Sequence, residues 1–441
     1  MRRVLTVVLL LFAILPVAGS QATEHSVSAV QATVLDNGLR VLLLEDHRSP
    51  IVSFQVWYRV GSRNEPRGGT GLAHFLEHMM FKGTPSYPRG QFAELVERNG
   101  GRNNAFTTQD VTSYFVNIAA DRLDLVLDLE ADRMRNLLFD PKDVDAERQV
   151  VIEERRTRTE DDPGGFLGEA VGAIAFKAHP YGQPIVGWME DLTRITPAEL
   201  RAFYDAYYVP GNAIIAAAGD FKAPELLDKI KRRFGALPRA PEPPKVTAIE
   251  PAQDGERRVT LHRQAQLPIV YLAWHTPNHT SADAPALELL STVLSGGRAS
   301  RLYRHLVYDR QLALNAGGDY SYFSIDPNVF WFWATPMPGQ TPETLEKELL
   351  AEMERLKTEP VTDEELTRAK NQTEAAFVFQ EDSIYRRASL MTRFELIGGY
   401  AKKDDFLKSI RAVTAADLQR VAKSWFPPER KNVGVLIPKK P

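Results

Sequence analysis

There is no cysteine anywhere in this chain of 441 residues. That absence excludes disulfides, thiolate-held zinc, a thiol nucleophile and a lipid-modified N-terminal cysteine. Any metal must therefore be held by histidine and carboxylate, and histidine is itself scarce, at nine residues. Charge of one sign is also lacking: the formal net charge is −3 and no run of Lys or Arg stands out. Composition thus offers neither a nucleic-acid footprint nor a polybasic membrane patch. Long apolar runs are missing beyond the N-terminus. The run at residues 4–14 follows Arg2 and Arg3 and precedes the small residues Ala18, Gly19, Ser20 and Ala22. It is short for a membrane span of roughly 20 residues, so residues 1–22 read as a secretory signal cleaved near Ser20 or Ala22. A periplasmic or secreted protein without a stable membrane span is the expectation.

The length calls for more than one compact domain, and a hydrophobic fraction of 44% gives each a core. Pro238, Pro241, Pro243 and Pro244 punctuate residues 238–250 and mark an extended linker. It separates an N-terminal domain, 30–237, from a C-terminal domain, 251–438. The two halves look alike. Thr196 is followed by Glu199, then Tyr207-Tyr208, Pro210 and an apolar run from Asn212; Thr414 is followed by Asp417, then Trp425-Phe426, Pro427 and a run from Asn432. Each threonine heads a capping-box pattern, and the shared order points to duplication. Apolar patterning predicts strands at 41–44, 52–60, 115–118 and 214–218, and helices at 91–98, 123–138, 143–159 and 197–206. The fold class is α+β: two homologous domains, each a mixed, mostly antiparallel sheet packed by helices on one side, facing each other across a cleft.

The chemistry concentrates in Thr70-Gly71-Leu72-Ala73-His74-Phe75-Leu76-Glu77-His78-Met79-Met80-Phe81. A capping Thr70 starts a helix on which His74 and His78, four apart, share one face. Two imidazoles at that spacing suit a tetrahedral zinc ion, and Glu77 sits near enough to take a proton from a water there. Phe75, Leu76, Met79, Met80 and Phe81 make the helix largely buried, so its polar residues need partners. One protein ligand is still wanting. In the helix at 143–159, Val150 and Val151 set an inward stripe that also carries Glu147 and Glu154. Either a solvated acidic helix or a metal ligand accounts for these carboxylates.

These segments resemble the pitrilysin and mitochondrial processing peptidase family. The resemblance is carried by Gly61-Ser62-Arg63-Asn64-Glu65, by the stretch from Gly71 to Thr84, by Asn104-Ala105-Phe106-Thr107 with Asp110, by Glu147 and Glu154, and by His179-Pro180-Tyr181-Gly182. It runs over about 34–438 and is nearest the short, two-domain members. It implies a metalloendopeptidase holding one Zn2+ per chain through His74, His78 and Glu154, with Glu77 as general base and Glu147 orienting a ligand. It further implies that peptide or unfolded substrate aligns along an edge strand through Asn104 and Ala105.

One part of the family pattern is broken. Complete sites in the family add an Arg and a Tyr, seven apart, from the second half; here those positions hold Val307 and Leu314. Neither donates a hydrogen bond to an oxyanion. Tyr308 and Arg310 are near but out of register. The expectation is therefore a heterodimer in which a homologous subunit supplies the Arg/Tyr pair. The rival from another class is a non-catalytic zinc-binding scaffold or peptide-binding assembly subunit. His25, His47, His262, His275, His279 and His305 show no ligand-like spacing, and His179 reads as structural or near the cleft.

Overall fold

The computed structural model describes residues 29–439, so the expected signal segment and His25 lie outside the described residues. Two sheets organise the chain. The first has six strands: β1 (Gln31–Val34), β2 (Arg40–Glu45), β3 (Ile51–Tyr58), β4 (Arg102–Thr107), β5 (Thr112–Ala119) and β6 (Ala213–Gly219). Their order is β1-β2-β6-β3-β5-β4. The second has five: β7 (Arg257–Arg263), β8 (Ile269–Thr276), β9 (Ala313–Asp319), β10 (Asn328–Pro336) and β11 (Asn432–Pro438), ordered β7-β11-β8-β10-β9.

Without β1, the two orders are the same. Each sheet also has its single parallel pair at the same place, β2 with β6 and β7 with β11, while the other neighbours are antiparallel. The matched capping boxes are present as well: Glu199 N–H donates to Thr196 Oγ1 and Asp417 N–H to Thr414 Oγ1, both at 3.2 Å. The strands expected at 41–44, 115–118 and 214–218 fall inside observed ones, while the one expected over 52–60 ends two residues early, at Tyr58. The helix expected over 123–138 stops at Arg133, where the chain tightens into a turn with Arg135 N–H on Asp132 O at 3.2 Å. Leu137 continues the apolar pattern just past that turn, buried without being helical.

The expectation of helices on one side only is wrong, for a physical reason visible in β3 and β6. All seven residues of β6 are buried, the pattern of a strand covered on both faces. In β3 the alternation separates Val52, Phe54, Val56 and Tyr58, in the main core of the first half, from Ser53, Gln55 and Trp57. That second, more polar row meets a helix, not water. Helix Ile384–Leu396, from the second half of the chain, packs there with Ala388 and Met391 against Leu42, Leu44, Trp57 and Ile214. Gln55 Nε2 donates to Tyr385 O (2.9 Å), and Ser389 and Trp57 donate to Gln55 Oε1 (3.2 and 2.9 Å). The buried polar row is thereby satisfied.

The exchange is reciprocal. Helix Pro163–Ala175, from the first half, lays Leu167, Val171 and Ala175 on the second sheet against Ala273, Val329 and Leu436. The prolines of 238–250 lie in a stretch without helix or strand, yet its end is anchored: Glu250 accepts N–H bonds from Lys177, Ala178 and His179 at 2.8–2.9 Å. The close seat of helix Pro163–Ala175 depends on Gly434 in β11. An added Cβ there would drive into Val171 and come within 3.0 Å of Leu167 Cδ1. Gly434→Val should therefore lower stability by about 1–3 kcal/mol through overpacking. Urea unfolding followed by tryptophan fluorescence measures this, and an unchanged midpoint would show that the helix is not seated as described.

Candidate metal centre

The centre begins with a buried carboxylate that the sequence pattern does not announce. Helix Leu72–Met79 is not capped by Thr70; its N-cap is Gly71, at φ +90°. Glu65 performs the capping, accepting N–H bonds from Gly71 (2.9 Å) and Ala73 (2.7 Å) while 6% exposed. An anion at a helix N-terminus satisfies free donors and complements the helix dipole. Thr70 is turned elsewhere: its hydroxyl donates to Asp191 Oδ2 (2.6 Å) and accepts from Trp188 N–H (2.9 Å). Glycine at 71 is required twice over, by its left-handed backbone and by Val186 O, 2.6 Å from where a Cβ would lie. The helix start is thus clamped in place before any metal chemistry is considered.

Helix Pro141–Arg155 supplies the facing carboxylates. Asp140 caps it and Pro141 opens it, which moves its start two residues earlier than the expected 143. Past Arg155 it continues as a π turn, Arg156–Glu160. Its inward stripe differs from the expected one. Val144, Glu147, Val151 and Arg155 are buried, whereas Val150 is 50% exposed and points out. Glu147 and Glu154 still lie on the inner side, because seven residues make close to two helical turns.

His74, His78 and Glu154 converge. Their donor atoms all lie within 4.8 Å of one another. His78 Nε2 is 3.2 Å from Glu154 Oε2, and His74 Nε2 is 3.6 Å from Glu154 Oε1. A tetrahedral zinc ion holds its ligand atoms about 3.3 Å apart, so this donor set fits such an ion in chemistry and spacing. The two imidazoles are held differently. His78 Nδ1 is 2.9 Å from Glu147 Oε1, while the buried His74 Nδ1 has no hydrogen-bond partner among the described residues. Exposed Arg158 also reaches Glu154, at 2.7 Å from Oε1.

The electrostatics describe a place that wants a cation. Burial pulls the His78 imidazolium down, but the carboxylates of Glu147 and Glu154 outweigh it and push the group up to about 9. Hydrogen bonds to His74 and His78 hold Glu154 far below the usual carboxylate range. Burial raises Glu147, and its bonds to His78 and Lys82 overcome this to leave it low. Glu77 goes the other way: burial raises it, against the hydrogen bond from Thr107 and the nearby His74 and His78. Thr107, the last residue of β4, donates its hydroxyl to a Glu77 oxygen. It therefore fixes the direction of that carboxylate.

β4 is the edge of the first sheet and pairs with β5 alone. Asn104 and Ala105 sit in its middle, with Asn104 Oδ1 accepting from Ala105 N–H (2.9 Å). Val307 lies in the π turn Tyr303–Asp309, packed against the second core, and Leu314 is 45% exposed in β9. Arg310 is committed to Glu348. Four of the remaining histidines have ordinary partners: His275 with Ala175 O, His279 with Ser324 O, His305 with Glu352, and His47 with Asp220 and Glu45, while His262 is exposed in β7. His179 lies 3.1 Å from Asp326 of the second half and accepts from Tyr181 N–H.

Residues 40–188 match the model described as insulinase (peptidase family M16), and residues 194–373 match the peptidase M16 inactive domain. The chain is 33% identical over 412 residues to the zinc protease PqqE of Helicobacter pylori, covering 92% of this chain and 93% of that protein. It is 30% identical over 432 residues to an uncharacterised zinc protease of Streptomyces coelicolor, covering 95% and 91%. A crystal structure of a protease from Helicobacter pylori superposes with a TM-score of 0.90 at 33% identity, over 93% of this chain and all of that one. The periplasmic protease PqqL from Escherichia coli shares the fold at 20% identity and a TM-score of 0.75, and this chain spans 48% of its length. The chain belongs to peptidase family M16, the family that the histidine-bearing segment resembles.

Proposed function

We propose that this protein is a zinc-dependent endopeptidase acting on peptides or unfolded segments, with His74, His78 and Glu154 as the metal ligands. The observation that carries the reading is the convergence of two imidazoles and one carboxylate beside a fourth group, Glu77, whose position Thr107 fixes. Relatives named zinc proteases support the choice of zinc. Bound there, the ion would supply Lewis acidity, polarising the peptide carbonyl and acidifying a water. Glu77 then does the proton work: it takes a proton from the attacking water and returns it to the leaving amine. Burial, which raises its pKa, improves it as the acid in that second step. Glu147 holds the ring of His78 through Nδ1 and leaves Nε2 facing Glu154. The free edge of β4, through Asn104 and Ala105, offers backbone groups for strand addition by an extended peptide.

The partner reading goes with this site. With Val307 and Leu314 in the second half, no donor from the expected Arg/Tyr positions reaches toward a developing oxyanion. PqqL, which shares this fold, is about twice this length, room for two such units in one chain. A homologous subunit supplying the pair, in a heterodimer exported to the periplasm, is the arrangement proposed. Among the described residues no helix is long and apolar enough to cross a membrane.

Glu77→Gln should leave one zinc per chain by elemental analysis yet lower kcat/KM about 10²–10⁴-fold; cleavage that survives the change would remove Glu77 from its role as base. The purified chain alone should cleave unfolded peptides poorly, and adding a homologous subunit bearing the Arg/Tyr pair should raise kcat by about 10²–10³. Full activity without that subunit would refute the heterodimer.

A further inference from the structure

Lys82 takes no part in the proposal above, yet it sits against the metal centre. It lies four residues after His78, past the end of helix Leu72–Met79, with its N–H donating to Met79 O (2.8 Å). Its ammonium forms an ion pair with Glu147 Oε2, and Glu147 Oε1 is the atom 2.9 Å from His78 Nδ1. The two side chains are only 18% and 8% exposed. Both oxygens of Glu147 are therefore committed, one to an imidazole and one to an ammonium. No other hydrogen bond or ion pair reaches Glu147 among the described residues.

We propose that Lys82 is a positioning residue of the metal centre: it holds Glu147 so that Oε1 stays on His78 Nδ1 and His78 Nε2 keeps facing the ligand cluster. This rests on the proposed ligand role of His74, His78 and Glu154. A nearly buried carboxylate deprived of its cation swings toward another donor. That movement loosens the grip on Nδ1, and the imidazole regains choices of tautomer and ring angle that metal binding must then remove. A simple charge count predicts the opposite, since deleting a cation makes the site more negative and more attractive to a dication. Proximity decides between them. The Lys82 charge is paired directly with Glu147, so the cluster sees a nearly neutral pair, whereas the orientation of His78 acts on a ligand itself. Outer groups of this kind change metal affinity about 10–100-fold. If instead the pair merely clasps two chain segments, its loss lowers the stability of the metal-free protein and leaves metal affinity alone.

The test is zinc affinity of the full chain by chelator competition, with thermal unfolding of the metal-free forms alongside. Lys82→Met should weaken zinc binding by about tenfold or more, and Lys82→Arg should recover most of the loss. Combining Lys82→Met with Glu147→Gln should be no worse than Glu147→Gln alone, because both act through the same bond to His78. Lys82→Gln gives the same readout if Lys82→Met does not fold. Zinc affinity within about twofold of the unmodified protein, or a loss that adds in full to that of Glu147→Gln, overturns the inference. An unmodified chain that binds no zinc is a different result, which removes the ligand assignment and this inference together.

Discussion

Desolvated negative charge is the constraint around which the first half is arranged. Glu147 and Glu154, both largely buried, face two imidazoles across a gap of a few ångströms, with Glu77 beside them. Carboxylates so placed are unfavourable unless cations or donors share the space. Every element at the site answers that demand: Lys82 and His78 flank Glu147, Arg158 and the imidazoles flank Glu154, and Thr107 donates to Glu77. A dication completes the same balance with more charge in less volume. The proposed zinc chemistry thus follows from the electrostatic need of the fold as much as from the presence of particular side chains.

The scaffold that keeps these groups in place is not confined to one half. Helix Pro163–Ala175 follows the π turn directly after the glutamate helix and ends packed on the second sheet, while Ile384–Leu396 returns the exchange. Polar bonds add to this, with Asp110 accepting from Tyr181 Oη (2.6 Å) and from Ile325 N–H (3.2 Å). Among the described residues the second half offers no group of side chains that could hold a metal, but it is the surface against which the histidine-bearing half is braced. Duplication of one unit explains how such reciprocal packing arises: each sheet presents the same second face, and each accepts the corresponding helix of the other.

Much of the site was legible in the chain. His74, Glu77 and His78 stand within five residues, so their proximity follows from helical spacing alone, and the seven-residue separation of Glu147 and Glu154 likewise puts both on one side of a helix. Glu65 was not legible. It caps a helix six residues away, outside the local window in which capping signals operate, so only the folded path of the chain reveals it. Val150 misled for a related reason. Its apolar character suggested burial, but where a helix docks is decided by its neighbours, and they left Val150 at the surface. The helix exchange was equally hidden, because alternation in β3 records only that one row is polar, not whether water or a helix covers it.

The sequence by itself determined the elements whose cause is local. These are the strand and helix periodicities, the two capping boxes, the duplicated order, the exclusion of sulfur ligands and the histidine pair on one helical face. Tertiary structure decided what depends on approach between distant segments. It joined Glu154 to His74 and His78, turned Glu147 between His78 and Lys82, aimed Thr107 at Glu77, and sent one helix from each half across to the other sheet. The division has a physical reason. Backbone propensities and side-chain periodicity act over a few residues and are written into neighbouring positions. Charge pairing and burial act through space, between residues whose nearness exists only once the chain has folded.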